Sequence, residues 1–211
     1  MLDADASSSS VWSGLLDEAA ARVFDGEAGR ARLAPLLERW DDEVGAIRED
    51  DALRELLQAV RTDWALCDVP RRDGRPWLHH LLEGAFGTIP DRWRPLARNH
   101  VGLFEVFPGA VSWLRDLRAG LSVPVLDALP QPPEPDGPAA IWEARVILSE
   151  GTAVLARPPL AYPMQMHPTF VAKSEARFGA AQPKLPWAAL RRGWLHVSRA
   201  RRADPRTLFR L

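Results

Sequence analysis

The spacing of apolar residues changes once along the chain, near His100, and this change limits the fold class more than any other feature. Before it, apolar side chains recur at intervals of three and four residues, as on one face of a helix. Over residues 100–157, β-branched and aromatic residues alternate between glycine- and proline-containing turns, which indicates strands. The pattern predicts an α+β fold: N-terminal helices, a small antiparallel β-meander or partial barrel of about five strands, and C-terminal helices.

Three apolar stripes predict a helical region over about residues 11–66, and short links make its helices antiparallel neighbours. The acidic run 49–51 suits the N-terminus of the third helix through capping and the helix dipole. Further helices are predicted to begin at Pro76, Pro168 and Pro186, because proline favours the first helical position. The strand that contains a proline, at 121–126, is predicted to lie at an edge.

Four segments follow from these patterns, and we expect them to pack as one compact unit. They are a disordered leader (1–10), an acidic helical region (11–99), a β-meander (100–163) and a basic helical tail (164–211).

Charge is distributed unevenly along the chain. Residues 1–70 have a net charge of −9, residues 71–170 a net charge of 0, and residues 171–211 a net charge of +8. The basic tail therefore has three uses open to it: binding the acidic region of its own chain, binding that of a neighbouring copy, or binding an anionic partner.

Composition excludes several classes of protein. The chain is 46% hydrophobic and 26% charged, which is typical of globular proteins and not of disordered ones. No apolar run reaches the ~18 residues of a membrane span, and the N-terminus lacks the features of a secretory signal. Cys67 is the only cysteine, so we expect no internal disulfide, no cysteine-based metal cluster and a cytoplasmic location.

The nine tryptophans are scattered along the chain, which predicts core anchors and not one aromatic binding strip. Basic residues are almost all arginine, which indicates a GC-rich bacterial genome.

Five short stretches resemble, in order and content, an uncharacterised bacterial family. They are Asp63–Asp68 (DWALCD), Asp73–Pro76 (DGRP), Gly102–Val106 (GLFEV), Leu114–Gly120 (LRDLRAG) and Trp142–Val146 (WEARV). Some members of that family carry a C-terminal zinc motif like the one that ends the SecA translocase. This sequence lacks that motif, since it has no second cysteine. The resemblance implies an architecture and assigns no activity.

Motifs for nucleotide and covalent chemistry are absent from the sequence: there is no P-loop, no dinucleotide fingerprint and no nucleophile elbow. We therefore expect no cofactor and, on balance, no enzyme. One metal-ligating set remains as an alternative, with Glu83 three and four residues after His80 and His79, and His100 as a third ligand. Adjacent histidines on a helix point about 100° apart, so we expect structural or surface histidines.

The segment around Asp116 predicts a structural turn. Asp116 is expected to cap the turn that leads to Gly120, and Arg115 to pair with Glu105 on the adjacent strand.

Candidate partner-binding residues lie in a methionine- and proline-containing loop and in the arginine-rich tail. Methionine adapts to irregular surfaces, and arginine beside aromatic rings can contact phosphates and stack on bases. For the loop, the alternative is that it covers the edge of the sheet. The residues are Tyr162, Met164, Met166, Arg191, Arg192, Trp194, Arg199, Arg201 and Arg202.

These observations favour a non-enzymatic cytoplasmic interaction or adaptor protein that binds another protein, with no cofactor and no membrane contact. Two alternatives stay open: a nucleic-acid-associated protein that uses the arginine-rich tail, and a metal-dependent hydrolase.

Overall fold

A computed structural model describes residues 8–51, 53–126, 140–163, 166, 170 and 186–199. The chain divides into two compact units, each considered by itself below. The helical unit comprises Gly14–Ala97, Ala188–Arg202 and Leu211, and the barrel unit comprises Met1–Ser13, Arg98–Trp187 and Ala203–Arg210.

The apolar stripes of the sequence become helices. The α-helices are α1 (Ser8–Phe24), α2 (Gly26–Glu43), α3 (Arg54–Cys67), α4 (Trp77–Leu82) and α5 (Trp187–Arg199), and a 3₁₀ helix spans Asp91–Arg98. Helix α1 begins within the segment assigned to the leader, of which residues 1–7 lie outside the described part of the chain. Of the helix expected to begin at Pro168, the structure describes only Phe170, which is helical. Across the described ranges, no helix combines the length and apolar character needed to cross a bilayer.

Trp40 lies in the core of the helical unit. Its side chain is only 1% exposed, and its ring meets the edge of Trp64 at a centroid distance of 5.4 Å. Leu57, from the predicted apolar stripe of α3, is also buried, whereas Leu53 at the start of that stripe is 43% exposed.

The corner between α1 and α2 depends on two glycines. Gly26 has a φ of +74°, which residues with a Cβ rarely adopt. Gly29 lies so close to the end of α1 that a Cβ there would come within 2.2 Å of the carbonyl carbon of Phe24. The chain can therefore turn this tightly only with glycine at 29.

Six strands form the sheet of the barrel unit. They are β1 (Asn99–Phe107), β2 (Ser112–Asp116), β3 (Ser122–Val125), β4 (Ala140–Ser149), β5 (Thr152–Leu155) and β6 (Leu160–Tyr162). Five strands close into a barrel in the order β1-β2-β3-β5-β4, because β4 also pairs with β1. The sixth strand, β6, pairs with residues 141–143 of β4, on the edge of β4 that does not pair with β1. The α+β class is thus confirmed. The barrel is mixed, since β3 runs parallel to β5.

The prediction that Pro124 places its strand at an edge is wrong. Strand β3 pairs with β2 on one side and with β5 on the other. Pairing with β5 is recorded only at Val125, opposite Ala153, so the ladder to β5 does not need the missing N–H of Pro124.

Side chains that alternate along the strands fill the barrel. The inward-facing set comprises Phe104, Val106, Leu114, Val125, Trp142, Ala144, Val146, Ala153 and Leu155, all buried. Residues next to these in sequence therefore face away from this core.

Candidate functional site

A row of apolar side chains crosses three neighbouring strands on the outside of the barrel. Phe107 on β1 is opposite Trp113 on β2, and Trp113 is opposite Pro124 on β3. Phe107 is 39% exposed and Trp113 is 43% exposed. We call this row, together with Arg115, the aromatic face.

Exposed apolar residues are concentrated in the barrel unit. In the described part of the chain, seven of the eight large hydrophobic residues that are exposed belong to that unit, and the eighth, Leu53, belongs to the helical unit. The seven are Val11, Phe107, Val111, Trp113, Leu121, Leu126 and Leu148. Most of the exposed apolar side chains that a partner could contact therefore lie on the barrel unit.

The arginine of the aromatic face is neutralised by a neighbouring strand. Arg115 forms an ion pair with the carboxylate of Glu105, which is opposite it in the β1–β2 register. The guanidinium carbon of Arg115 also lies 5.6 Å from the centroid of the Phe107 ring. The predicted cross-strand pair is confirmed, and it leaves the aromatic rings, not a free cation, as the main feature of this surface.

Asp116 caps the turn after β2, as predicted. Its Oδ1 accepts hydrogen bonds from the backbone N–H groups of Arg118 at 2.7 Å and Ala119 at 3.0 Å, and its Oδ2 lies 2.6 Å from Nε2 of His100. Burial acts to raise the pKa of Asp116, but these hydrogen bonds outweigh it and hold the pKa below its ordinary value. Asp116 is therefore an ionised structural anchor.

The histidines of the alternative metal site have separate carboxylate neighbours. Nδ1 of His79 lies 3.6 Å from Glu83, and Nε2 of His80 lies 2.8 Å from Asp73. His100 contacts the turn carboxylate described above. Among the residues that the structure describes, no group of three or more histidine, cysteine, aspartate or glutamate side chains could hold a metal ion.

The described members of the predicted partner-binding loop are buried. Tyr162 is 3% exposed and donates its hydroxyl hydrogen to Glu143 at 3.1 Å, and its ring meets the edge of Phe170. Met166 is 1% exposed. Met164 lies outside the described residues.

Two of the predicted tail residues lie inside the helical unit. Arg191 is 3% exposed, and its guanidinium carbon lies 4.9 Å from the centroid of the Trp40 ring. Trp194 is also buried. Arg201 and Arg202 lie outside the described ranges.

The other two described tail arginines bind the acidic region of the same unit. Nε of Arg192 donates to the backbone carbonyl of Glu43 at 2.8 Å. Arg199 makes two hydrogen bonds to the Asp51 carboxylate, each of 2.7 Å. These bonds lower the pKa of Asp51 and raise that of Arg199. Of the three uses open to the basic tail, Arg192 and Arg199 serve the intramolecular one.

This pairing also corrects the predicted helix cap. The N-cap of α3 is Leu53, and no side chain caps that terminus. The Asp51 carboxylate, expected to serve there, instead accepts hydrogen bonds from Arg199 and from the backbone N–H of Arg48.

Sequence reasoning missed the aromatic face. The prediction that the tryptophans are core anchors is wrong for Trp113, which is 43% exposed. The signal lay in the strand period: Leu114 and Val106 face the core, so their neighbours Trp113 and Phe107 must face outward.

No protein-family model, no curated protein and no solved structure matches this chain. The resemblance to an uncharacterised bacterial family, based on five short stretches, stays a prediction. Function is therefore inferred from the surfaces described above.

Proposed function

We propose that this chain is a non-enzymatic binding protein of the bacterial cytoplasm that docks an apolar segment of another protein on its aromatic face. The observation that carries the proposal is the row of exposed Phe107 and Trp113 and half-buried Pro124 across three paired strands. Large aromatic side chains are enriched at protein interfaces, because they bury much apolar area at little cost in conformational entropy.

The rigidity of the row supports this use. Its side chains project from hydrogen-bonded strands of a closed barrel, so little ordering is needed when a partner binds. Val111, in the turn between β1 and β2, is 54% exposed and extends the apolar material next to Phe107 and Trp113 in sequence.

Charge supports a protein segment over a polyanion. Residues 98–163 contain five arginines and seven acidic residues, for a net charge of −2. The arginine of the aromatic face is paired with Glu105. A neutral or basic partner segment is therefore favoured electrostatically over one rich in phosphate or carboxylate groups.

Single-stranded nucleic acid is the second candidate partner. OB-type barrels, which also have five strands, bind oligonucleotides across the face of strands 2 and 3, and exposed aromatic rings serve as stacking platforms for bases. Phe107 and Trp113 offer such rings here. This candidate ranks second, because phosphate binding requires several free cations and the arginine of this face is neutralised.

Site-specific photo-crosslinking in living cells tests the proposal. Full-length chain carries a benzoylphenylalanine at position 113, or at position 53 as a matched control, because Trp113 and Leu53 are equally exposed at 43%. We expect a discrete protease-sensitive adduct from position 113 only, and its loss when Phe107→Ser is added. Tagged and untagged copies of the chain are expressed together, so that a crosslink between two copies can be recognised.

Other results would overturn the protein-partner proposal. A nuclease-sensitive adduct from position 113 would assign the face to nucleic acid, which fluorescence anisotropy with a single-stranded oligonucleotide at about 50 mM and about 200 mM salt would confirm through a steep loss of affinity. An adduct that joins tagged to untagged chain would make the face a self-association surface. Equal labelling from positions 113 and 53, or none, would remove the face from consideration.

A further inference from the structure

A groove of about 540 Å³ opens in the helical unit between α2 and the loop that leads into α4. A volume of this size is typical of small-molecule sites. The side chains on which its chemistry depends are Arg32, Arg71 and Arg72, and the apolar Leu36, Val69 and Trp77.

Trp77 positions two of the three guanidinium groups. The guanidinium carbon of Arg71 lies 4.1 Å from the centroid of the Trp77 ring, and that of Arg32 lies 5.7 Å from it. Arg32 is fixed further by a 2.9 Å hydrogen bond from its Nη1 to the backbone carbonyl of Val23. Cation–π contacts of this kind hold the planar groups in place without neutralising them.

No ion pair within 4.0 Å involves Arg32, Arg71 or Arg72 in the described part of the chain. The acid that lines the groove, Asp73, accepts the backbone N–H of Arg75 at 3.1 Å on its Oδ1, and its Oδ2 lies 2.8 Å from Nε2 of His80. The hydrogen bond from Arg75 and the nearby charge of Arg71 lower the pKa of Asp73, so this carboxylate offsets part of the positive charge of the groove. Three cations and one carboxylate leave the groove with a net charge of +2.

We propose that this groove binds a small-molecule phosphate monoester. Such a group carries a charge of about −1.5 to −2 at pH 7 and three strong acceptor oxygens, which matches the charge of the groove. Arginine forks bind phosphate oxygens in pairs. The apolar wall formed by Leu36, Val69 and Trp77 suits the carbon part of the ester. This site is independent of the aromatic face, and either proposal can fail alone.

A titration of the isotopically labelled full chain followed by NMR tests the site, with phenyl phosphate as the probe. We expect saturable shifts of the backbone N–H signals of the non-proline residues in 69–77. Phenyl phosphate is expected to bind more tightly than inorganic phosphate, because its ring contacts the apolar wall. It is also expected to bind at least about tenfold more tightly than benzoate, which offers one charge fewer.

Two matched double variants separate a built site from general charge. Arg71→Gln with Arg72→Gln removes two cations of the groove, and Arg39→Gln with Arg92→Gln removes two exposed cations elsewhere in the unit. Arg39 also lies beside a ring, with its guanidinium carbon 5.6 Å from the centroid of the Trp64 ring, but it forms an ion pair with Glu43. We expect the groove variant to lose about tenfold or more in affinity and the control to lose less than about twofold.

A lysine pair at the same two positions keeps the charge and removes the forks, so Arg71→Lys with Arg72→Lys should retain part of the affinity. If the glutamine pair perturbs amides throughout the spectrum and so disturbs the fold, the lysine pair still tests the role of the two guanidinium groups. Three results would each overturn the proposal: unshifted amides at 69–77, equal losses in the groove and control variants, or benzoate binding as tightly as phenyl phosphate.

Discussion

The two units use the same pair of groups, an arginine beside an aromatic ring, in opposite ways. In the groove of the helical unit, the Arg71 guanidinium lies over Trp77 at 4.1 Å and forms no ion pair within 4.0 Å among the described residues. On the barrel unit, Arg115 lies 5.6 Å from the Phe107 ring and is paired with Glu105. The groove therefore offers cations, and the aromatic face offers rings.

A third pair shows the structural use of the same groups. Arg191 lies 4.9 Å from the Trp40 ring, and both residues are buried at 3% and 1% exposure. Neither its cation nor its ring is available to a ligand. An arginine–aromatic pair can bind a ligand only if its cation or its ring is accessible and unpaired. A neighbouring carboxylate removes the free cation, and burial removes access to both groups.

The largest expected effect comes from the corner that positions the groove. Gly29→Ala should destabilise the protein by about 2–3 kcal/mol, because the new Cβ would collide with the backbone of Phe24 and force α1 and α2 apart. Phosphate binding should weaken with it, since Arg32 on α2 bonds to Val23 in the same corner. Urea unfolding measures the stability. Gly14→Ala is the control: it has open space around it in α1 and should stabilise by about 0.5–1 kcal/mol.

The next effect concerns the turn that anchors β2 in the barrel unit. Asp116→Asn should cost about 2 kcal/mol at pH 7, because it removes a buried carboxylate that accepts three hydrogen bonds. Since the folded-state pKa lies below the ordinary value, this stabilisation is complete above about pH 4 and is lost as the pH falls through the folded-state pKa.

Unfolding curves of wild-type and Asp116→Asn protein between pH 7 and low pH measure the difference, which should shrink on acidification. Asp91→Asn is the control, because the Asp91 side chain is 89% exposed and its ion-pair partner Arg94 is 71% exposed. A difference that stays constant with pH would contradict the assigned role of the ionised carboxylate.

Glu105→Gln should make the aromatic face resemble the groove. The substitution costs about 1 kcal/mol in stability and removes the ion-pair partner of Arg115, so the aromatic face should gain affinity for anions. An NMR titration of the variant with phenyl phosphate should then shift the amides of residues 113–118. The same titration of wild-type protein should leave these amides unshifted. If those amides stay silent in the variant, neutralisation by Glu105 is not what keeps anions off this face.

Trp113→Ser should have the smallest effect on stability. Its exposed ring contributes little to the core, so the free energy of unfolding should change by less than about 0.5 kcal/mol, as for Leu53→Ala at the same 43% exposure. Alanine is used at position 53 because Leu53 is the N-cap of α3, where serine would add a helix cap. Retention on a hydrophobic-interaction column should fall more for Trp113→Ser than for Leu53→Ala. A large loss of stability in Trp113→Ser would mean that this ring is a structural element.

Local signals fixed much of this structure in advance. The change of hydrophobic period near His100 separates helices from strands, and the turn chemistry of Asp116 was predictable, because a side chain that caps backbone amides two and three residues ahead acts within its own segment. The pair of Arg115 and Glu105 followed from strand register across one short turn. Each of these interactions joins neighbours in sequence or on adjacent strands.

Long-range contacts were not predictable in the same way. Closure of the barrel, which gives β3 two neighbours, depends on β4 returning to β1. The role of Asp51 depends on Arg199, 148 residues away. No local sequence pattern specifies which residue from a distant segment will contact a given side chain.

The sequence by itself determined the elements, their inward faces and the supply of arginine and aromatic residues. Tertiary structure alone decided which of these groups are satisfied inside the molecule and which are left for a ligand. The physical reason is that periodicity and turn preferences act over a few residues, whereas the neutralisation of a charge or the burial of a ring depends on every element packed around it.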